Sequence, residues 1–125
     1  MALDARTGRL RFNFDAKAYV FSSAALAGDL AYVGDHNGKL YAISAKTGKL
    51  AWEFQTEASK KDSLKVLHPD GSLNEDGFAR IFNDFEDMYI DAYKFISIGA
   101  ILSSPVVDHG VVYFGSMDGN LYALQ

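Results

Sequence analysis

The sequence predicts a mainly β protein made of four-stranded antiparallel propeller blades, two per chain, with one inserted amphipathic helix. Shifted by 81 positions, residues 22–43 align without a gap on residues 103–124, and eight of the 22 pairs are identical. Shifted by 40, residues 2–14 align on residues 42–54 with six identities. Tight turns separate short alternating segments in this repeat, and about 40 residues holding four strands is the size of a propeller blade.

One copy of the repeat is complete, from Ser22 to Phe54. Its turns Asp35–Gly38 and Ala45–Gly48 end in glycine, which supplies the backbone freedom that a tight turn requires. Apolar side chains alternate between the turns, which indicates strands with one buried face. We expect four strands in this copy, at residues 22–27, 30–34, 39–44 and 49–54.

The second blade is split between the two termini. Residues 102–125 supply its first three strands, whereas residues 1–14 hold only the end of a third strand and a fourth strand, Arg9–Phe14. An unpaired sheet edge attracts a further strand. We therefore expect Arg9–Phe14 to complete the terminal blade of its own chain or of a neighbour. Because the sequence starts in the middle of a repeat, we also expect it to be a piece of a longer protein.

Residues 55–99 form an insertion between the complete blade and the terminal one. Its first part, residues 55–62, is polar and is expected to be a loop. A helix is predicted over about residues 74–97, because Ser72 and Glu75 have the spacing of a capping box and Gly99 stands past the end. Apolar residues recur there at spacings of three and four: Phe78, Ile81, Phe82, Phe85, Met88, Tyr89, Ala92 and Ile96.

The two faces of the predicted helix carry different expectations. An apolar stripe is more often core than a binding groove, but it is also the best place on this chain for a partner. The candidate partner surface comprises Phe78, Phe82, Phe85, Met88 and Tyr89. The carboxylates outside the stripe are expected to be solvated rather than to act as an acid/base pair: Asp84, Glu86, Asp87 and Asp91.

Composition excludes several functional classes. The 125 residues are 49% hydrophobic and carry a formal net charge of −4 without a basic run, which argues against binding to nucleic acid. No cysteine is present, so disulfides, thiolate chemistry and cysteine metal sites are excluded. No apolar run approaches the roughly 18 residues that a membrane-spanning helix needs.

No group in the sequence has the pattern of a catalytic, cofactor-binding or metal site. His36, His68 and His109 stand in predicted turns without a second ligand at metal spacing, so solvated turn histidines are expected. The pairs Ser22-Ser23 and Ser103-Ser104 recur at strand starts, which indicates an architectural role rather than a nucleophile. No cofactor is predicted.

Three segments carry a family resemblance: Ala2–Gly8 (ALDARTG), Ala42–Trp52 (AISAKTGKLAW) and Ser103–Ala123 (SSPVVDHGVVYFGSMDGNLYA). Together they resemble the bacterial quinoprotein-like, or pyrroloquinoline-quinone-like, β-propeller repeats. The resemblance covers about two-thirds of the chain and leaves the insertion out.

The resemblance implies a structural docking device, in which the Trp of one blade lies over the Thr-Gly turn of its neighbour. The residues that match these positions are Thr7, Gly8, Phe12, Thr47, Gly48 and Trp52. Two residues depart from the family pattern. Phe12 stands in place of Trp, and Ser44 stands where Asp is usual, which is expected to weaken the hydrogen bonding of that turn.

These features predict a non-catalytic binding or scaffolding module that is part of a larger or oligomeric β-propeller. A propeller needs about four to eight blades, so the others would come from a longer protein or from further copies; two sheets packed face to face under the helix would be a third arrangement.

The expected partner is a protein or another copy, through blade edges. The alternatives are a fragment of a quinone-dependent dehydrogenase and an excised fragment that only self-assembles. The resemblance also implies an extracytoplasmic, periplasmic location.

Overall fold

The computed structural model describes residues 1–74, 76 and 85–125. Within these ranges the chain is mainly β, which confirms the predicted fold class. In chain order the elements are β1 (Ala2–Leu3), β2 (Leu10–Phe12), β3 (Ala25–Ala27), β4 (Leu30–Gly34), β5 (Lys39–Ser44), β6 (Leu50–Gln55), α1 (Glu57–Lys61), α2 (Phe85–Ser97), β7 (Val106–Asp108), β8 (Val111–Gly115) and β9 (Leu121–Leu124).

The described strands form three antiparallel sheets. We call β1–β2 the N-terminal sheet, β3–β4–β5–β6 the complete blade and β7–β8–β9 the C-terminal sheet. In the complete blade each strand pairs with the next along the chain, as short hairpin turns dictate. Its first strand is shorter than expected, because it begins at Ala25 rather than at Ser22.

Ser22 lies before the first strand of the complete blade, and its side chain binds the backbone at the end of β4. Its Oγ accepts from Gly34 N and donates to Gly34 O, both at 3.0 Å. Ser103 makes the same two bonds with Gly115, both at 2.9 Å. The repeated serines thus satisfy the last backbone groups of β4 and β8, in agreement with the architectural role that the repeat predicts.

The two parts of the split blade stay separate in the single chain. Strand β2 pairs with β1, with Ala2 opposite Phe12 and Leu3 opposite Leu10. Among the described residues β9 pairs with β8 alone, so its outer edge carries no strand. In this structure residues 9–14 therefore do not complete the terminal blade of their own chain.

The hydrophobic core lies between the complete blade and the C-terminal sheet. Strands β3 and β7 meet at the inner side of this interface, and alternate side chains of β4 and β8 point into it. The buried residues of this core are Tyr32, Leu40, Ala42, Ile101, Val112 and Phe114. Burial of this apolar surface stabilises the interface by about 25 cal/mol per Å² removed from water.

The same packing contact occurs at both successive interfaces between sheets. Phe14, after β2, meets Tyr41 of the complete blade edge-on, with ring centroids 5.2 Å apart. Phe54 of β6 meets Tyr122 of β9 edge-on at 5.3 Å. The repeat makes Phe14 equivalent to Phe54 and Tyr41 to Tyr122. The three sheets therefore follow one another with a repeated geometry, as blades of a propeller do.

The first part of the insertion contains a helix where a loop was expected. Residues 57–61 form α1, in which the N-cap Thr56 accepts from Ser59 N and Glu57 lies in the first turn. Lys60 and Lys61 lie in the last turn, where they complement the helix dipole. A helix of five residues is too short to show an apolar periodicity, so only the capping residues could have predicted it.

Helix α2 lies within the range predicted to be helical, but its start cannot be compared, because residues 75 and 77–84 lie outside the described ranges. Asn74 itself is not helical, since its N–H donates to Val66 O beside the isolated bridge between Leu67 and Leu73. The expectation that Asp91 is solvated is wrong. Asp91 is buried and pairs with Lys94 at 3.2 Å, on the side of α2 that faces the protein.

Candidate functional site

The predicted docking residues of the first two sheets lie in direct contact. The ring of Phe12, on β2, lies against the turn of the complete blade at Gly48. A side chain at Gly48 would collide with that ring, since an added Cβ would lie 2.6 Å from Phe12 Cγ. Gly48 has a positive φ of 73° as well. The absence of a side chain therefore allows an aromatic ring from the neighbouring sheet to pack on this turn.

Trp52 and Gly8, also in the predicted set, have no such counterpart. The Trp52 ring lies 5.8 Å from Tyr32 of its own sheet and is partly exposed. In the described C-terminal sheet no Thr-Gly turn follows β9 to cover it. At Gly8, an added Cβ would meet nothing within 4 Å, so this turn has an open face. One aromatic ring of the complete blade and one turn of the N-terminal sheet thus have no docking partner from another sheet.

The two Thr-Gly turns differ in their internal hydrogen bonds. Asp4 Oδ1 accepts from Arg6 N, Thr7 N and Thr7 Oγ1, at 3.2, 2.8 and 2.7 Å. The bond from the Thr7 hydroxyl is the main reason why the pKa of Asp4 is lowered. At the equivalent position Ser44 Oγ accepts from Thr47 N at 3.2 Å. The carboxylate binds its turn more extensively, as the departure at Ser44 predicts.

Equivalent residues of the repeat differ in burial between the complete blade and the C-terminal sheet. Leu40 of β5 is fully buried by the C-terminal sheet, whereas its equivalent Leu121 of β9 is 76% exposed. The same holds for Tyr32 and Tyr113, which are 8% and 38% exposed. The face of the C-terminal sheet that corresponds to the buried face of the complete blade is therefore uncovered. We call it the open blade face.

A second uncovered surface lies between the N-terminal sheet and the complete blade. It is a cavity of about 620 Å³ with a mainly apolar lining. Phe12 lines one wall, and Leu26, Ala31 and Val33 line the other. In the complete blade the equivalent space, beside the outer strand β6, is filled by the inner strands β3–β5. The cavity thus lies where the repeat would place the inner strands of the blade to which β2 belongs.

A buried carboxylate organises the turn between β4 and β5. Asp35 Oδ1 accepts from Asn37 N at 3.0 Å and from Lys39 N at 2.9 Å, while Oδ2 accepts from Tyr41 OH at 2.8 Å. Burial raises the pKa of Asp35, although each of these hydrogen bonds acts in the opposite direction. Burial, followed by the charge of Asp35, also raises the pKa of Tyr41. The pair supports the turn and has no access to a substrate, because Asp35 is fully buried.

The raised pKa of Asp35 predicts a pH-dependent stability contribution. Because the folded state holds this proton more tightly than the unfolded state, the contribution of Asp35 increases as the pH falls through the folded pKa and is lost as the pH rises. Asp35→Asn keeps an acceptor for the two backbone N–H groups and does not titrate. We expect wild type to gain stability relative to Asp35→Asn between about pH 7 and about pH 4.

Urea unfolding of both proteins across this range measures that difference. Comparison with the variant cancels the opposing contributions of Asp4, Asp70 and Asp118, whose pKa values are lowered. A difference in unfolding free energy that stays constant with pH would contradict the prediction.

In the equivalent turn of the C-terminal sheet, a carboxylate at another position accepts the hydrogen bond from the tyrosine. Tyr122 OH donates to Asp118 Oδ2 at 2.7 Å, in place of the bond from Tyr41 to Asp35. The tyrosine is therefore retained at one position of the repeat, while its carboxylate partner moves within the turn.

The three histidines have different surroundings. His109 and His68 are exposed, as predicted for turn residues, and His109 Nδ1 lies 2.7 Å from Asp108 Oδ1. The expectation is wrong for His36, which is half-buried. Its ring stacks on Phe21 with centroids 4.6 Å apart and lies 5.0 Å from Phe95. The described residues contain no group of three or more His, Asp or Glu side chains that could hold a metal ion.

The part of the candidate partner surface that lies in α2 is exposed. Phe85, Met88 and Tyr89 are 73%, 47% and 63% exposed. Phe78 and Phe82 lie outside the described residues. The side of α2 that packs on the protein instead presents Asp91 and Phe95, and the segment after it contributes the fully buried Ile98.

A known family matches the chain at the level of sequence. The model of the family described as outer membrane protein assembly factor BamB matches residues 1–73, which is more than half of the 125 residues. The chain belongs to this family of PQQ-like repeats. The matched range includes the N-terminal sheet, the complete blade and the start of the insertion.

Two curated relatives share the PQQ-like repeat sequence over short parts of their length. The chain is 37% identical over 76 residues to the quinohemoprotein alcohol dehydrogenase ADH-IIG of Pseudomonas putida, covering 52% of this chain and 11% of that protein. It is 36% identical over 112 residues to the serine/threonine-protein kinase AfsK of Streptomyces griseus, covering 84% of this chain and 14% of that protein. The chain thus spans only a small part of either relative.

The described helices, α1 and α2, do not reach the length and apolar character that a membrane crossing requires.

Proposed function

We propose that this chain is a non-catalytic PQQ-like repeat module that binds or scaffolds other proteins as part of a larger β-propeller. The observation that carries the proposal is the pair Leu40 and Leu121, which occupy one position of the repeat and are 0% and 76% exposed. Leu40 is covered by the following sheet. Leu121 therefore marks a face that is shaped to receive a further blade, whether from the same polypeptide or from another molecule.

The docking residues fit the same proposal. Phe12 on Gly48 provides the contact between the first two sheets, and Trp52 and the Thr7-Gly8 turn are the corresponding groups available to further blades. A rigid series of blades holds its turns and insertions in fixed positions, and such loops are where binding residues concentrate. We propose that the exposed side of α2, with Phe85, Met88 and Tyr89, is the partner surface. Family membership further supports an extracytoplasmic location.

A tandem protein tests the proposal directly. Because Gln125 is in the phase of Asp4, residues 5–54 can be appended after Gln125 to supply an outer strand and a following blade. We expect the amides of β9 to become protected from hydrogen exchange, because their outer edge gains a paired strand. The matched control carries Phe12→Asp in the appended copy, which places a charge in the docking contact. Equal exchange of β9 in the original and extended proteins would contradict the proposal.

A second candidate function is a segment of a quinone-dependent dehydrogenase. The similarity to the alcohol dehydrogenase of Pseudomonas putida favours it. Against it stands the described structure, in which the buried carboxylate Asp35 is held by the turn itself rather than exposed to a ligand. Titration with pyrroloquinoline quinone and Ca²⁺ distinguishes the two, since saturable binding of the quinone would support the enzyme.

A further inference from the structure

The complete blade presents a different face to each of its neighbours. Tyr32 of β4 belongs to the core beside the C-terminal sheet, whereas Ala31 and Val33 of the same strand line the apolar cavity beside the N-terminal sheet. Successive side chains of a strand point to opposite faces of its sheet. The N-terminal and C-terminal sheets therefore lie on opposite faces of the complete blade, which keeps β2 and β9 of one chain apart.

The blade side of this cavity repeats a surface that already forms an interface elsewhere in the chain. Its lining includes Val20, Leu26, Ala31, Val33 and Ile43. A shift of 81 positions relates these five, in the same order, to Ile101, Val107, Val112, Phe114 and Leu124. All five equivalents lie in or against the core beside the complete blade. The cavity thus presents one half of an interface whose complete form is the core.

The open blade face is the other half of that interface. In the core the complete blade contributes Tyr32, Leu40 and Ala42. Their equivalents in the C-terminal sheet, listed in the same order, are Tyr113, Leu121 and Ala123, and all three are exposed. Each chain therefore carries both halves of a second interface of the same kind. Because the complete blade separates them within one chain, they can meet only between two chains.

Strand β1 holds the position on β2 that the end of β9 would take. Two cross-strand pairs, with an irregularity between them, join β1 to β2: Ala2–Phe12 and Leu3–Leu10. Two equivalent pairs with the same irregularity join β5 to β6: Ala42–Trp52 and Ile43–Leu50. In the C-terminal sheet the equivalent of β5 is β9, whose Ala123 and Leu124 correspond to Ala2 and Leu3. The short β1 is thus a substitute for the end of β9.

We propose that a second copy of this chain docks its C-terminal sheet beside β2, with its β9 in place of β1 and its open blade face against the cavity. The inference rests on the proposed function and names the source of the further blade. Strand β9 has four residues and β1 has two, so the exchange lengthens the pairing with β2. It also buries the exposed Leu121 and Tyr113.

The exchange joins copies head to tail, because the C-terminal sheet of one chain meets the N-terminal sheet of the next. Each chain then contributes two blades. Such a heterologous interface generates a ring where its rotation closes, and about two to four copies would supply the roughly four to eight blades of a propeller.

The first test uses engineered cysteines, since the chain has none of its own. Lys39 lies opposite Gln55 in the complete blade, and the equivalent positions for the exchanged strands are Asn120 and Asp15, both exposed. The variants Asn120→Cys and Asp15→Cys are purified separately and mixed. Cross-strand Cα atoms lie about 4.5–5.5 Å apart, within the range of about 4.4–6.8 Å that a disulfide spans.

We expect the mixture to form a disulfide between the two variants at least about tenfold faster than a control mixture, because pairing raises the effective concentration of the thiols. The control replaces Asn120→Cys by Asp108→Cys. Asp108 is also exposed, but it lies in β7, at the opposite edge of the same sheet. Equal rates in the two mixtures would overturn the proposal.

The second test distinguishes this docking from association through α2. Leu121→Asp places a charge on the open blade face, and Phe85→Asp places one on the exposed side of α2. Both side chains are largely exposed, at 76% and 73%, so both variants should fold. Light scattering across a dilution series measures the assembly. We expect Leu121→Asp to require at least about tenfold more protein for association, because docking would bury the charge, and Phe85→Asp to match wild type. Wild type that stays monomeric, or equal effects of the two substitutions, would overturn the proposal.

The tandem protein separates failure of this inference from failure of the proposed function. If β9 gains protection in the tandem protein but the two cysteine mixtures react equally, the open blade face accepts a blade of the same polypeptide and only the exchange between copies is overturned. If β9 gains no protection in the tandem protein, the proposed function itself is overturned.

Discussion

Gly38→Ala is expected to destabilise the chain by about 3 kcal/mol or more, the largest effect of any single methyl addition that we predict. Gly38 has a φ of +74°, which by itself disfavours Ala by about 1–2 kcal/mol. An added Cβ would also lie 2.5 Å from Thr56 Oγ1, 2.6 Å from Ile98 O and 2.9 Å from Gly99 O. Two of these three atoms are backbone, so relief requires a shift of the main chain.

The effect should extend beyond the turn, because Gly38 lies where the insertion joins the blade. Thr56 N donates to Gly38 O at 2.8 Å, and Thr56 is also the N-cap of α1. Ile101 N donates to Asp35 O at 2.9 Å in the same region. We expect the amides of Thr56 and Ile101 to lose protection from hydrogen exchange in Gly38→Ala.

Gly119→Ala is the matched control for this prediction. Gly119 occupies the same repeat position with a φ of +85°, but an added Cβ there meets nothing within 4 Å. Gly119→Ala should therefore lower the free energy of unfolding only through backbone strain, by about 1–2 kcal/mol. Urea unfolding of the two variants separates the steric effect from the conformational one, and equal losses of unfolding free energy would contradict the role of the Gly38 contact.

The sequence could predict the blades because their signals are local and repeated. Gly34 and Gly115, or Ser22 and Ser103, recur at one spacing and make the same hydrogen bonds in both copies. The pairing of β1 with β2 could be anticipated from the hairpin turn that joins them. That this pairing leaves β9 without an outer strand could not be anticipated. By sequence, Ala2-Leu3 and Ala123-Leu124 fit the same edge of β2 equally well.

The burial of His36 was not predictable, because it depends on contacts distant in sequence. His36 has the context of a solvated turn residue, and only the packing of Phe21 and Phe95 buries it. The insertion that brings Phe95 to the His36 ring has no counterpart in the repeat. The difference between His36 and its repeat equivalent Met117 was the only hint of this burial in the sequence.

Residue type also failed to indicate exposure at the open blade face. Leu40 and Leu121 are identical residues in identical repeat positions, and the presence of a following sheet alone decides whether they are buried. A periodic pattern identifies the face of a strand that is to be covered, but it does not say whether the cover belongs to the same chain.

Leu40→Ala and Leu121→Ala are therefore expected to have very different effects. Leu40→Ala removes buried methyl groups from the core between the complete blade and the C-terminal sheet, and large-to-small core substitutions of this kind lose about 2–5 kcal/mol. Leu121→Ala changes a side chain that is 76% exposed, so a change within about 0.5 kcal/mol is expected. Urea unfolding monitored at low protein concentration measures both.

The same pair of variants reports whether the open blade face is covered in solution. If another molecule covers it, Leu121 acquires the surroundings of Leu40, and Leu121→Ala should become more destabilising as the protein concentration rises, because association stabilises the folded state by mass action. Leu40→Ala provides the reference value for a fully covered position. A loss for Leu121→Ala as large as that for Leu40→Ala at every concentration would contradict the structure, since it would require the face to be buried within the single chain.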